Sequence, residues 1–271
     1  MIKPRKRFGQ HWLKSEIALE NIIKTAQLKR EDRILEIGPG TGILTERLLP
    51  QVNQVLAVEI DRDLCKLLRT KFAGWSNFLL LEGDFLAQEF FPGFLEYNKV
   101  VANIPYYITG PILEKLLGTI SKPSPKQLEF IVLLIQKEVA ERLVAKPGNK
   151  NYGALTLKVR YLADCEIVCK VPAKAFYPPP KVDSVVVKIT PRKIDNPPKN
   201  PAFLEKIIRM GFNGRRKMLK NNLKPIVKPE LLEVILANFN INPQVRAEDL
   251  DLQDWILLSN ILSDSPDCGE G

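Results

Sequence analysis

The sequence predicts an α/β protein, with a doubly wound, mostly parallel sheet followed by a small all-α domain. From residue 33 to residue 190, short apolar runs alternate with amphipathic helical patterns. This order is typical of parallel sheets that carry helices on both faces. After a linker rich in Pro, Lys and Asn, only helical patterns remain. We therefore expect three regions, at residues 1–195, at residues 196–262 and, as a flexible tail, at residues 263–271.

Composition excludes several classes of protein. The chain has 271 residues, of which 45% are hydrophobic, so it can bury one large core and a smaller one. The longest apolar run, Phe130 to Ile135, is far too short to span a membrane. No apolar signal segment follows the basic N-terminus, so we expect a cytoplasmic protein. The net charge of +9 favours a polyanionic partner.

Cysteine and histidine are too few and too scattered for a metal site. The four cysteines form no C-x-x-C pair, and His11 is the single histidine. Cys165 and Cys169 share one face of an expected strand, which indicates core positions. We therefore expect no metal and no disulfide framework, and a lone histidine argues against Ser-His or Cys-His nucleophilic catalysis.

The N-terminal arm precedes the first helix. Residues 1–14 are polar and basic, yet Phe8, Trp12 and Leu13 are too apolar for a solvated tail, so we expect this arm to lie against a pocket. Ser15 then caps a helix that runs to about residue 28.

Periodicity gives the remaining elements in chain order. The expected strands are at residues 33–37, 55–58, 78–82, 100–102, 130–135, 165–171 and 182–190. The expected helices are at residues 43–49, 110–117, 137–145, 155–162, 203–212, 217–223, 229–239 and 255–262.

A glycine-rich loop follows the first strand. Gly38-Pro39-Gly40-Thr41-Gly42 lies between this strand and a helix, with acidic Glu36 near the strand end. The spacing matches neither the G-x-G-x-x-G dinucleotide fingerprint nor a P-loop. Glycines at such a turn allow the backbone to approach a bound ligand where a Cβ atom would clash.

Carboxylates end the next two strands. Glu59 occupies the position where α/β folds hold ribose hydroxyls, and Asp61 can cap the following helix. The alternative is that the carboxylate at this strand end is only a helix N-cap, a role that Asp61 could serve equally well. Asp84 follows the third strand and can accept a hydrogen bond from an adenine amine.

The segment Asn103-Ile104-Pro105-Tyr106 ends the fourth strand and organises the predicted site. Pro105 lacks a backbone N–H, so the chain must leave the sheet here. An amide, a carbonyl and a stacking ring suit a planar exocyclic amine, and they would lie where strands end and ligands bind. The alternative is an ordinary strand-to-helix turn with a capping Asn.

A stiff proline segment, Phe176-Tyr177-Pro178-Pro179-Pro180, connects the last two expected strands. It is either a rigid connector or a second aromatic wall, with Phe176 facing Tyr106.

Basic residues crowd one short region after the linker, with no acidic residue between Arg209 and Lys228. Such a run is often only a solvated face, but the absence of acids favours a phosphate-binding surface. Its members are Arg209, Arg215, Arg216, Lys217, Lys220, Lys224 and Lys228.

Five motifs together resemble one family. Glu36–Gly42 resembles the first motif of class I S-adenosylmethionine methyltransferases, which have a Rossmann-like fold. Asn103–Tyr106 resembles the motif of those that methylate exocyclic amines. Residues 8–13, 176–184 and 213–223 narrow the resemblance to the rRNA adenine N6,N6-dimethyltransferases, and among them to the bacterial small-subunit (16S) members.

The resemblance has small departures. His11 stands where many members carry Asn, Trp12 where Phe is usual, Tyr107 where Asn is common and Gly214 where Gln is frequent.

The resemblance implies a cofactor, a substrate and roles for residues. The cofactor is S-adenosylmethionine, and its pocket comprises His11, Leu13, Gly38, Glu59 on the ribose, Asp84 on the adenine amine, and Asn103. Asn103 and Pro105 hold the target amine between Tyr106 and Phe176. The basic helical domain binds RNA through Arg215, Arg216, Lys217 and Lys220.

The implied reaction is dimethylation of two adjacent adenosines in a loop near the 3′ end of 16S rRNA. It takes place in the assembling small subunit, and we expect a monomeric enzyme without metal. Two alternatives stay open, a 23S rRNA adenine methyltransferase of the resistance type and a non-catalytic ribosome-assembly factor that binds RNA.

Overall fold

A computed structural model describes residues 2–87, 96–125 and 128–264 of the chain, as an alternation of strands and helices. The strands are β1 Trp12–Leu13, β2 Arg33–Ile37, β3 Gln54–Glu59, β4 Phe78–Glu82, β5 Lys99–Asn103, β6 Phe130–Gln136, β7 Ala163–Val171, β8 Phe176–Tyr177 and β9 Ser184–Pro191. The helices are α1 Glu16–Ala26, α2 Thr45–Leu48, α3 Arg62–Lys71, α4 Thr109–Leu117, α5 Lys137–Leu143, α6 Ala154–Leu162, α7 Pro201–Gly211, α8 Leu219–Leu223, α9 Pro229–Asn238 and α10 Leu252–Asp264.

Seven strands form one sheet in the order β4-β3-β2-β5-β6-β9-β7. Strands β2 to β6 pair in parallel, whereas β9 is antiparallel to β6. The chain order reverses between β2 and β5, which is the position where ligands bind in such sheets. The expected α/β class, a doubly wound and mostly parallel sheet with a helical region after it, is confirmed.

The central strands are buried because their side chains are apolar on both faces. Val100, Val101 and Ala102 of β5 have no exposed surface, and neither do Ile131 to Ile135 of β6. Continuous apolar runs of this kind are expected where helices cover both faces of a parallel sheet. The sheet therefore holds the C-terminal ends of β2, β3 and β5 in fixed positions.

A two-stranded antiparallel sheet, which the sequence did not predict, joins the arm to the proline segment. Trp12 pairs with Tyr177, and Leu13 pairs with Phe176. Successive residues of a strand point to opposite sides, so Leu13 and Phe176 face the core while Tyr177 is 53% exposed. The arm is thus anchored to the sheet domain rather than solvated.

Strand β7 corrects one expectation. Cys165 and Cys169 share a face, but both are only half-buried. The reason is that β7 is the edge strand of the sheet, where Ile167 and Val168 are also exposed. The alternation of residues in the sequence predicts which side chains share a face. It does not predict whether the strand lies at the centre or at the edge of the sheet.

The described residues form two compact units. The first comprises residues up to 116, 124–140 and 164–192, and the second 117–123, 141–163 and 193 onward. Residues 141–163 therefore group with the C-terminal helices, and the domain boundary at residue 195 stays a prediction. Helix α10 continues through Asp264, so the first two residues of the expected tail are helical; residues 265–271 lie outside the described part.

Candidate active site

A cavity opens at the C-terminal ends of four parallel strands. Gly38 follows β2, Glu59 ends β3, Asp84 follows β4 and Asn103 ends β5, and all four line the cavity. His11 and Leu13 of the arm, with Pro105 and Tyr106, complete the wall. The structure therefore brings together every predicted site residue of the first unit except Phe176.

The glycine loop serves two purposes. A Cβ atom at Gly38 would meet only the Cδ atom of Pro105, 3.9 Å away, so the backbone there borders open space. At Gly42 it would lie 2.6 Å from the Phe72 ring. Both glycines have positive φ, which favours glycine in either case. Gly38 leaves room for a ligand, whereas Gly42 allows the loop to pack on helix α3.

Glu59 is held by backbone donors at the floor of the cavity. Its Oε1 accepts from the Asp61 N–H at 2.9 Å, and its Oε2 accepts from the Gly40 N–H at 3.1 Å. Burial raises the pKa of this carboxyl. Each oxygen keeps a further lone pair that can accept a ligand hydroxyl. Asp61 caps α3 by accepting from the Asp63 N–H, as expected.

Hydrogen bonds from Leu86 and Lys115 hold the loop that carries Asp84. Oδ1 of Asp84 accepts from the Leu86 N–H at 2.9 Å, and the side chain is half-buried. Lys115 of α4 donates to the carbonyls of Phe85 and Leu86. Burial lowers the pKa of Lys115, and the nearby Asp84 opposes this effect. Nothing in the sequence distinguishes Lys115, since it lies in an ordinary helical pattern.

Glu36 is a second buried carboxyl at this cavity, and its environment was not foreseen. The side chain is 1% exposed and accepts from the Thr45 hydroxyl at 2.7 Å. Burial raises its pKa to about 8. Glu36 is therefore mostly protonated at neutral pH and can donate as well as accept a hydrogen bond.

The Glu36→Gln variant should show a weaker dependence of stability on pH. The folded-state pKa of about 8 exceeds the ordinary glutamate value of 4.5, so the native chain binds the extra proton and loses stability as pH rises between these values. Gln does not titrate, so this loss disappears. Urea unfolding at pH 5.5 and pH 8 measures it, with exposed Glu31→Gln as control. A slope equal to that of the wild type would refute the shift.

The arm fixes the orientation of Asn103. The Asn103 Nδ2 donates to the His11 carbonyl at 3.3 Å, which leaves Oδ1 as the free acceptor of this amide. His11 is held in turn, since its Nδ1–H donates to the Pro178 carbonyl at 2.7 Å. In the neutral ring the proton on Nδ1 makes Nε2 an acceptor. The arm and the proline segment thus position the amide at the end of β5.

Tyr106 is fixed at both ends of its side chain. Its hydroxyl hydrogen-bonds to the buried Ser184 Oγ at 2.6 Å. The ring stacks on His11 with centroids 5.6 Å apart and planes at 17°. The carbonyl of Pro105 accepts from the Ile108 N–H at 3.3 Å, a long bond that leaves its second lone pair available.

Phe176 lies apart from these residues. Its ring is 2% exposed and packs in the hydrophobic core with Leu13 and Leu19, and it does not line the cavity. The pairing of β8 with β1 turns this side chain inward. A wall facing Tyr106 would require the ring to become exposed, so a stacking role for Phe176 stays a prediction.

The basic cluster of the second unit has two kinds of member. Arg215 donates to the carbonyls of Lys150 and Tyr152 and pairs with Glu248 at 3.3 Å. Lys220 pairs with Glu233. Arg216 and Lys217 are exposed. The run without acids in the sequence is thus partly neutralised by acids from elsewhere in the same unit, and Arg216 and Lys217 are the better candidates for phosphate contacts.

The described residues contain neither a membrane-spanning helix nor a cluster of metal-binding side chains. None of their helices is long and apolar enough to cross a membrane. Within the same residues, no group of three or more His, Cys, Asp or Glu side chains is arranged to hold a metal ion.

Known proteins resemble this chain in sequence over almost its whole length. The family model for ribosomal RNA adenine dimethylase matches residues 1–264. A protein named ribosomal RNA small subunit methyltransferase A from Trichormus variabilis is 59% identical, over 97% of this chain and 99% of its own. The protein of the same name from Crocosphaera subtropica is 58% identical, over 97% of this chain and 100% of its own.

Solved structures agree with the sequence relatives. A dimethyladenosine transferase from Plasmodium falciparum superposes with a TM-score of 0.77 at 30% identity, covering 93% of this chain and 97% of its own. The 23S rRNA methyltransferase ErmE gives a TM-score of 0.73 at 27% identity, covering 93% of this chain and 100% of its own. From the family match and the near-complete relatives, this chain belongs to the ribosomal RNA adenine dimethylase family.

Proposed function

We propose that this chain is an S-adenosylmethionine-dependent enzyme that dimethylates N6 of two adjacent adenosines near the 3′ end of 16S rRNA. The family and the small-subunit relatives support the enzyme class and favour 16S over 23S rRNA. The observation that carries the proposal within the structure is the Asn103 amide, whose oxygen stays free at the cavity because its nitrogen donates to His11.

The residues around the cavity fit the methyl donor. Glu59 has acceptor capacity for the ribose hydroxyls, and Asp84 has a second carboxylate oxygen for the adenine amine. Gly38 leaves open space beside them, and His11 and Leu13 close the wall from the arm. When bound, S-adenosylmethionine supplies a methyl group already activated by its sulfonium charge.

The protein therefore has to position the acceptor amine. The lone pair of an adenine N6 is delocalised into the ring, which makes this nitrogen a poor nucleophile. Asn103 Oδ1 and the Pro105 carbonyl accept its two hydrogens, and this arrangement directs the lone pair toward the methyl group. Good orientation can contribute up to about 7–11 kcal/mol to lowering a barrier.

The base must be unpaired or flipped to reach these groups. Tyr106 stacks on one of its faces, a contact worth about 1–3 kcal/mol. After the first transfer one N–H remains, so the site must accept a methyl group in place of a hydrogen. The two-acceptor clamp of Asn103 and Pro105 therefore acts chiefly in the first step.

Transfer of labelled methyl groups to unmethylated small subunits, followed by nucleoside analysis, tests this function. We expect dimethyladenosine in 16S rRNA. Label in 23S rRNA would support the resistance-type alternative. Failure to bind S-adenosylmethionine would favour a non-catalytic assembly factor. Comparison of naked 16S rRNA with assembling subunits tests the proposed partner, and light scattering tests the proposed monomer of 30.8 kDa.

Loss of the Arg216 charge is expected to weaken rRNA binding in a salt-dependent manner. Arg216 is exposed, so Arg216→Ala removes a phosphate contact without disturbing the packing. The slope of log affinity against log salt should fall by about one. Arg215→Ala should also weaken binding, but it breaks contacts to Lys150 and Tyr152 as well.

Filter binding at several salt concentrations measures both effects, with exposed Lys66→Ala of α3 as the charge-matched control. An Arg216→Ala affinity equal to that of the wild type at every salt concentration would remove this role.

A further inference from the structure

Beside Tyr106, a second aromatic ring stands at the mouth of the cavity with no assigned role. Tyr107 is 63% exposed and lines the same cavity. A single exposed ring is common on a protein surface, but this one borders the cavity that holds the predicted site.

The local backbone directs the two tyrosines differently. Tyr106–Ile108 form a 3-10 turn, in which consecutive side chains point about 120° apart. Tyr106 points inward, where its hydroxyl bonds to buried Ser184. Tyr107 consequently points outward and still borders the cavity.

The arm holds the Tyr107 ring in place. A Cβ atom at Gly9 would lie 3.1 Å from both Cδ1 and Cε1 of Tyr107, so the ring rests directly on the Gly9 backbone. Gly9 has a φ of 59° and ends the short 3-10 turn Lys6–Phe8. The contact therefore restricts the ring on the side of the arm, and a ring already restricted loses less entropy on stacking.

Two positive charges lie in the turn that ends at Gly9. Lys6 and Arg7 are exposed on the same turn of the arm, and the Arg7 guanidinium lies 4.6 Å from the centroid of the Phe8 ring. Phe8 itself lines the cavity. Proteins bind single-stranded nucleic acid with this combination of aromatic faces for bases and cations for the backbone.

We propose that Tyr107 is a stacking platform for the base next to the target adenosine, with Lys6 and Arg7 contacting the phosphates of that segment. This inference rests on the proposed function and adds a positioning residue to it. Tyr106 would hold the reacting base, and Tyr107 would hold its neighbour. The pair of rings would then set the register of unpaired RNA in the cavity.

The first test compares Tyr107→Ala with Tyr107→Phe, which keeps the ring, in methyl transfer to unmethylated small subunits. Tyr107→Ala should raise KM by about 5- to 150-fold, the range of one base stack, with a much smaller change in kcat. Tyr107→Phe should restore most of the wild-type KM. Ile17→Ala removes another exposed apolar side chain, on α1, and should leave KM unchanged. Calorimetry with S-adenosylhomocysteine checks that each variant is folded.

The second test identifies the partner of the ring. The affinity of a short unpaired RNA with two adjacent adenosines is compared with that of the same RNA carrying an abasic neighbour, in the presence of S-adenosylhomocysteine. The wild type should lose affinity for the abasic RNA, and Tyr107→Ala should not distinguish the two. Equal KM values for Tyr107→Ala and Tyr107→Phe, or a wild type indifferent to the abasic site, would overturn the inference.

These outcomes separate the inference from the function on which it rests. Methylation of 16S rRNA by the wild type, together with equal KM values for the two variants, would refute only the platform. Absence of methylation by the wild type would refute the proposed function itself.

Discussion

Replacing Asn103 by Ala is expected to lower kcat for dimethyladenosine formation by about 100-fold or more, the scale seen when one preorganised hydrogen-bonding group is removed from an active site. The variant loses the Oδ1 atom of Asn103. This atom is free to accept a hydrogen bond because it is the Nδ2 atom that bonds to the His11 carbonyl. Without it, the N6 hydrogens are held only by the Pro105 carbonyl, which already accepts from the Ile108 N–H.

Single-turnover rates with unmethylated and with monomethylated substrate measure this loss. The defect should be larger for the first transfer, because the monomethylated amine has only one hydrogen to donate. Asn103→Asp serves as a matched variant, since it keeps an oxygen acceptor and loses the donor to His11. Affinity for S-adenosylhomocysteine separates a binding defect from a chemical one. If the Asn103→Ala variant forms dimethyladenosine at the wild-type rate, the proposed two-acceptor clamp of Asn103 and Pro105 is wrong.

Replacing Lys99 by Met is expected to lower the free energy of unfolding by about 3–5 kcal/mol, the cost of breaking a buried ion pair. Lys99 is fully buried at the start of β5, and its Nζ lies 2.7 Å from Oδ2 of Asp32 and 2.8 Å from the Gln27 carbonyl. Met has a similar length and no charge, so the main effect is to leave the Asp32 carboxylate without its cation.

The pKa of Asp32 gives the pH dependence of this contribution. Burial would raise that pKa, but hydrogen bonds from Lys99, from Asn98 and from the Lys29 N–H outweigh burial and lower it below 3.8. The pair therefore stabilises the fold above pH 3.8, and this contribution is lost as pH falls through the lowered pKa.

Urea unfolding at pH 7 measures the loss, with exposed Lys24→Met of α1 as control. The double variant Asp32→Asn with Lys99→Met should recover part of the stability, since it leaves no unpaired charge in the core. A loss no larger than that of the control would show that the buried pair contributes little.

The sheet could be predicted because each of its central strands is defined by a short continuous segment of the sequence. Each central strand is a short run such as Val100–Ala102 between turn residues, and strand–helix alternation fixes the parallel arrangement. That arrangement in turn places Glu59, Asp84 and Asn103 at one edge of the sheet, where the structure has them. The positions of residues at strand ends can therefore be predicted from the sequence.

Contacts between distant segments could not be predicted in this way. Strands β1 and β8 have two residues each, too few for any period, and their pairing buries Phe176. Arg215 lies in a run without acids, yet Glu248 reaches it from 33 residues away. Nothing in the sequence distinguishes Lys99 from an exposed lysine. Each of these depends on which segments meet in space.

The pairing of β1 with β8 also bears on biosynthesis. Trp12 and Leu13 leave the ribosome early, whereas Phe176 and Tyr177 follow only after strands β2 to β7 have been made. At about 5–20 residues per second, the first strand waits roughly ten to thirty seconds for its partner. A nascent chain therefore cannot complete the part of the cavity wall that His11 and Leu13 contribute until β8 has been made.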